Sequence, residues 1–137
     1  MPKKVICVWI GTFKSENELY QNYLNFDYEN EDDPKSKFGK DAELEYYDED
    51  FMESWWLEDI SLNNLIEHKD NILDSEYFFE ELIAELKHCN LTNRNSITFL
   101  FGENGKYATN DMLFDYKGMK SKDKPIAFVF RKEYELK

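Results

Sequence analysis

Few residues in this 137-residue chain have types and spacings suited to acid–base, nucleophilic or metal chemistry. There are two histidines, His68 and His88, two cysteines, Cys7 and Cys89, and a surplus of carboxylates. The sequence contains no Ser/His/Asp order, no nucleophile elbow and no GxxxxGK[ST] phosphate loop. FGENGK has two glycines but lies between two strand-like segments and reads as a turn. His88 falls in the last turn of a predicted helix, where the dipole favours its cation and a surface position. His68 follows in kind, within a polar stretch. Two cysteines are too few for a disulfide framework and lack zinc-site spacing, and both sit in apolar patterns, so buried free thiols are expected. Glu53 beside Trp55 and Trp56 could imitate an aromatic-lined glycosidase cleft, but so many acids are present that chance alone supplies such pairs. Asp48 and Asp50 match the first two ligand positions of an EF-hand loop. The match then fails, with Met52 at the next ligand position, Glu53 in place of the glycine and Asp59 in place of the bidentate glutamate. The chemistry points away from catalysis, and neither metal nor cofactor is expected.

The same acids are informative as a surface. In Asp41–Asp59, DAELEYYDEDFMESWWLED, acids and large aromatics alternate more densely than anywhere else in the chain. From Asp27 to Asp59 there are fourteen Asp and Glu against Lys35, Lys37 and Lys40, a net of eleven of the chain's twelve negative charges. Like charges held close destabilise a compact state, and such a patch favours cationic partners. Tyr46, Tyr47, Phe51, Trp55 and Trp56 are interleaved with these acids, and Tyr and Trp dominate binding hot spots. The competing reading is a solvated helix or loop whose rings plug the core. On a strand Trp55 and Trp56 point to opposite faces, and on a helix they diverge by ~100°, so only one is easily buried.

The elements that position this stretch follow from periodicity. Val5–Ile10 is apolar on both alternating sets and stops at Gly11, which predicts a central strand over 4–11 covered on both faces. Ser15 and Glu18 form a capping box for a helix over 15–24, with Leu19, Tyr23 and Tyr20 inward. Residues 25–40 read as an irregular loop, and Leu44 and Tyr46 as a weak strand. Residues 48–57 are assigned to a helix, with a turn as the alternative; as a helix, Phe51 and Trp55 share a face. Ser61 caps a helix over 61–67. Asp74 caps the clearest helix, 74–89, whose Phe78, Phe79, Leu82, Ile83, Leu86 and Cys89 line one side. Period-two patterns predict strands over 96–102, 111–117 and 125–133, the last two as a hairpin around the basic loop Lys117–Lys124. Strand, helices, then strands is an α+β order: one domain, 1–137, with a mainly antiparallel sheet of about four strands and the helices packed on it.

A chain of 16.5 kDa suits one domain, and 17% aromatic residues argue against disorder. A sequence pI near 4.6 argues against direct nucleic-acid or anionic-membrane affinity. VICVWI is too short for a secretory signal, and no segment approaches the ~20 apolar residues of a membrane helix. A soluble, cytoplasmic protein is expected. Residues 104–137 carry eight basic and five acidic residues, a mild positive surplus that is expected to balance the acidic domain.

The order VICVWIGTF, then Glu18-Leu19 and Tyr23-Leu24, then SKFGKD and YYDEDFMES resembles the immunity protein 22 family of bacterial polymorphic toxin systems. The resemblance covers most of the chain and is strongest before residue 60. It implies a small cytoplasmic α+β protein, not an enzyme and without cofactor, that binds and neutralises a cognate toxin domain, often a nuclease. A nuclease must present Lys and Arg to phosphates, so an acidic inhibitor can be steered to that surface, at up to ~10⁸–10⁹ M⁻¹s⁻¹ at low salt. The expected toxin-facing residues are Asp48, Glu49, Asp50, Glu53, Glu58 and Asp59, with Trp55 or Trp56 and Tyr47 as apolar anchors. Glu31, Asp32 and Asp33 are a second region, while Trp9, Gly11 and Phe13 serve the fold. A DNA mimic or acidic adaptor for a nucleic-acid-binding host protein is the alternative, and an enzyme on a cationic substrate a third. Exposed aromatics could also make a homodimer, although a monomer is favoured.

Overall fold

A computed structural model of the chain describes residues 2–26, 29, 35–58 and 60–136. Four antiparallel strands form one sheet in the order β2-β3-β1-β4, with β1 at Lys3–Gly11, β2 at Met52–Trp56, β3 at Ser96–Glu103 and β4 at Ile126–Glu135. This is an α+β fold, as the element order predicts. β1 is inside the sheet and every residue from Val5 to Gly11 is buried, which its two apolar alternations require. Ile6, Val8 and Ile10 belong to the core on one face, together with Phe78, Leu82, Leu86, Ile97 and Phe99. Val5, Cys7 and Trp9 belong to the core on the other, with Leu19, Tyr23, Phe38, Tyr47, Leu100 and Leu113. Trp9 is 0% exposed and meets Phe38, Phe128 and Tyr116 at ring-centroid distances of 5.0, 5.5 and 5.6 Å.

Two element assignments are corrected. The helix expected over 48–57 is a single 3-10 turn, Glu49–Phe51, followed by β2. Asp48 Oδ1 accepts from Asp50 N at 3.0 Å, the local side-chain bond that competes with helix, and the chain then finds its hydrogen bonds on β3, with Trp55 opposite Ile97. The strand expected over 111–117 is a 3-10 helix, Asp111–Asp115, so the predicted hairpin with 125–133 is absent and β4 pairs with β1. The MLFDY segment lies on the sheet face instead, where Leu113 joins the core of Val5, Cys7 and Trp9 and its carbonyl accepts from Arg131 Nε of β4 at 2.9 Å.

The helices are shorter than their patterns suggest. Ser15 Oγ accepts from Glu18 N at 3.1 Å, but Glu18 Oε2 takes Asn22 Nδ2 at 3.0 Å, so only half of the capping box forms. The following turn, Glu18–Tyr23, is π-helical and buries Leu19 and Tyr23. Within the expected loop, α1 spans Lys37–Asp41, capped by Ser36, and the weak strand at Leu44–Tyr46 does not form. α2 spans Leu62–Glu67, with the expected Ser61 Oγ accepting from Asn64 N at 3.1 Å. α3 spans Phe79–Leu86, preceded by a 3-10 turn at Ser75–Tyr77. Asp74 does not cap it: its φ is 56°, and its Oδ2 accepts from Lys4 Nζ at 3.2 Å and Tyr134 OH at 2.8 Å. The basic loop meets acids of the middle segment, with Lys124 Nζ 3.4 Å from Asp41 Oδ1 and the Lys120 backbone N–H donating to Glu43 Oε2 at 2.7 Å.

An edge strand exposes a row of backbone groups that can template aggregation. On β2 the Tyr20 hydroxyl donates to Ser54 O at 2.8 Å and accepts from Trp56 N at 3.1 Å, closing that edge with one side chain. Tyr20→Phe should therefore cost about 1–2 kcal/mol and raise self-association. Urea unfolding and light scattering on the same samples measure both.

Candidate partner-binding surface

The acidic turn is built from the inside. Asn110 is 1% exposed and left-handed, with φ 46°. Its Oδ1 accepts from Asp48 N at 2.7 Å, while its Nδ2 donates to Asp48 O at 3.2 Å and Phe101 O at 3.0 Å. One buried amide thus ties the turn to β3. Gly102 makes this approach possible: a Cβ there would lie 2.5 Å from Asn110 O and 2.9 Å from Val5 Cγ1. With Asp48 fixed at both N–H and C=O, Glu49 and Asp50 project into solvent. Tyr46 at 65% and Phe51 at 43% are exposed beside them.

The predicted site residues divide clearly. Asp48, half-buried, shapes the turn, and Glu49, Asp50 and Glu58 are exposed. Tyr47 is 5% exposed: its hydroxyl shares a 2.7 Å hydrogen bond with Ser36 Oγ and its ring packs on Phe38 and Phe26. It is a core residue and not a surface anchor, because the short α1 and its Ser36 cap close over it. Glu53 is turned under the segment before α3, where its Oε1 accepts from Leu73 N at 3.2 Å and its Oε2 is buried without a hydrogen-bond partner among the described residues. Trp55 and Trp56 take opposite faces of β2 and are both half-buried, Trp55 in tilted contact with the His68 ring at 5.1 Å between centroids. Asp59, Glu31, Asp32 and Asp33 lie outside the described residues.

Three residues of this surface carried no sequence signal that was read: Asn110, Leu73 and Tyr107. Leu73 at 49% and Tyr107 at 77% exposure face the same notch as Phe51, over a floor of Phe101 and Gly102. They come from a turn and a loop without periodicity, where an apolar residue gives no hint of its neighbours.

The groups suited to chemistry are engaged otherwise. Burial pushes the Cys7 thiol up to about 12, opposed only in part by Arg131, so it stays protonated. Cys89 is only half-buried, against expectation, and its Sγ faces Glu85 O at 3.6 Å. Tyr134 is raised first by burial and then by its hydrogen bond to Asp74. His68 ends α2 against Trp55, and His88 is exposed beyond α3. Among the described residues no three His, Cys, Asp or Glu side chains are grouped to hold a metal, and no helix is long and apolar enough to cross a membrane.

Fold and surface together define a small acidic α+β protein that presents a clamped carboxylate turn beside exposed rings. The family model described as Immunity protein 22 matches residues 6–135, and the chain belongs to that family. Immunity proteins neutralise toxins and are generally non-catalytic. No curated protein and no solved structure matches the chain.

Proposed function

We propose that the chain, as one immunity-protein-like unit over residues 1–137, binds a cognate basic toxin domain, a nuclease, and blocks it in the cytoplasm. It does so as a binding protein, with no chemical step, no cofactor and no direct contact to nucleic acid. The observation that carries this reading is the exposed Glu49-Asp50 pair on a turn that Asn110 holds rigid, in a chain of net charge −12. A pre-ordered turn loses little conformational entropy on docking, and its charge steers a cationic partner before contact. Glu58 extends the acidic surface, and the exposed parts of Trp55 and Trp56 add apolar area along β2. Asp59, Glu31, Asp32 and Asp33 enlarge it if they face the same partner. Exposed rings at Tyr46 and Phe51 favour a protein partner over DNA mimicry, which wants evenly spaced acids with few rings between them.

The test is growth rescue and binding with the toxin domain encoded next to this chain. Reversing Asp48, Glu49 and Asp50 to lysine should slow association ~10- to 100-fold at low salt and flatten its salt dependence. Full protection with unchanged association kinetics would move the interface to another surface.

A further inference from the structure

Of the five large apolar side chains that the described residues leave exposed, three converge: Phe51, Leu73 and Tyr107. They come from distant parts of the sequence and wall one notch of about 290 Å³ over Phe101 and Gly102. Singly scattered apolar residues need no explanation, whereas a shared concave patch rimmed by polar groups marks an interaction site. We infer that this notch is the anchor site for an apolar side chain carried next to a lysine or arginine on the toxin domain. The inference rests on the toxin-binding reading above and assigns it a pocket.

Three observations select that occupant. The volume lies at the lower limit of the ~300–1,000 Å³ cavities that hold small-molecule ligands, so it suits one or two side chains better than a cofactor. The wall carries Glu103, and the one lysine in the lining, Lys4, is already held by Asp74 at 3.2 Å; Lys106 lies over the Tyr107 ring at 5.5 Å, so the negative bias comes from Glu103 and from the chain's net charge of −12. A second copy of this chain would bring another net charge of −12 against the same rim, which self-repulsion opposes, and an anionic membrane is repelled likewise. A basic protein meets no such cost. The floor is firm, because Phe101 and Gly102 belong to β3 and Asn110 lies directly over Gly102. Binding pockets of this kind set residence time, while remote charge sets encounter rate.

The experiment measures association and dissociation of the purified full chain with the toxin domain encoded beside it, on a biosensor at several salt concentrations. The double variant Leu73→Ser and Tyr107→Ser should dissociate ~100-fold faster, with its association rate and salt slope within about twofold of the parent. The double variant Glu49→Lys and Asp50→Lys, which keeps the Asp48 side chain that caps the turn, should do the converse, so the two contributions separate. A folded double variant that dissociates within about threefold of the parent overturns the anchor site and leaves toxin binding standing. Failure of the parent itself to bind overturns the proposed function and the anchor with it. Should the double variant lose its circular dichroism spectrum, Leu73→Lys alone gives the same readout: ~10-fold faster dissociation supports the site, and an unchanged rate rejects it.

Discussion

Asn110→Ala is expected to destabilise the protein by about 3 kcal/mol and to weaken partner binding in the same molecule. The amide is buried and makes three hydrogen bonds, to Asp48 N, Asp48 O and Phe101 O. Removing it strands partly buried backbone groups, each costing ~1–3 kcal/mol, of which water admitted to the gap recovers a share. It also places alanine at φ 46°, where an L residue without a local side-chain bond is strained by ~1–2 kcal/mol. Urea unfolding followed by circular dichroism should show a lower midpoint at unchanged slope, the signature of lost stability without a changed unfolded state. Asn110→Asp keeps the acceptor for Asp48 N but turns a buried carboxylate toward Asp48 O and Phe101 O, and should destabilise at least as much. A loss under ~1 kcal/mol would mean that the clamp is redundant. The binding effect separates from stability at temperatures where the variant is still folded, because the turn must then be ordered at the moment of docking.

Trp9→Ala should be more damaging still, at about 3–5 kcal/mol or more. The ring is fully buried on β1 and meets Phe38, Tyr116 and Phe128, which come from α1, the segment after the 3-10 helix, and β4. Its removal opens a cavity where three separate segments meet, so no single side chain can relax into the space. Total stabilities are ~5–15 kcal/mol, so this change alone brings the domain close to unfolding at growth temperature. The melting temperature should fall by roughly 10–20 °C, and Trp9→Phe by less than half of that. A fall under ~5 °C would show that the surrounding rings repack without cost.

The parts of this fold legible in the sequence are those whose signal is local. β1 is read from two apolar alternations, β3 and β4 from period two, and the Ser61 cap from one residue before an apolar run. The misread parts depend on partners far along the chain. β2 is extended because β3 offers it a ladder, and nothing in FMESWW states that; the acids around it even argue against a strand. MLFDY has strand periodicity and becomes a 3-10 helix on the sheet face, where Leu113 is buried and Arg131 of β4 takes its carbonyl. Asp74 has the identity of a helix cap, but Lys4 and Tyr134 hold its carboxylate instead. The acidic surface itself was visible as composition, and Glu49, Asp50 and Glu58 are indeed exposed. Which large apolar side chains accompany them was not visible: Tyr47 turned inward, while Leu73 and Tyr107, outside the acidic stretch, turned outward. Exposure of a ring is decided by what packs over it, and for Tyr47 that cover is a five-residue helix whose Ser36 bond is a tertiary fact.

The central sheet seals a separate core on each face, and the residues that meet solvent around the notch hang from short turns that contribute little to either. The exposed side chains proposed for recognition, Glu49, Asp50, Leu73 and Tyr107, belong to neither core. On the proposed surface, exchanging Glu49, Asp50, Leu73 or Tyr107 would offer a different adversary a new face, while Trp9, Phe99 and Asn110 keep the architecture unchanged. Retargeting of this kind needs substitutions at a handful of outward positions and no redesign of the interior.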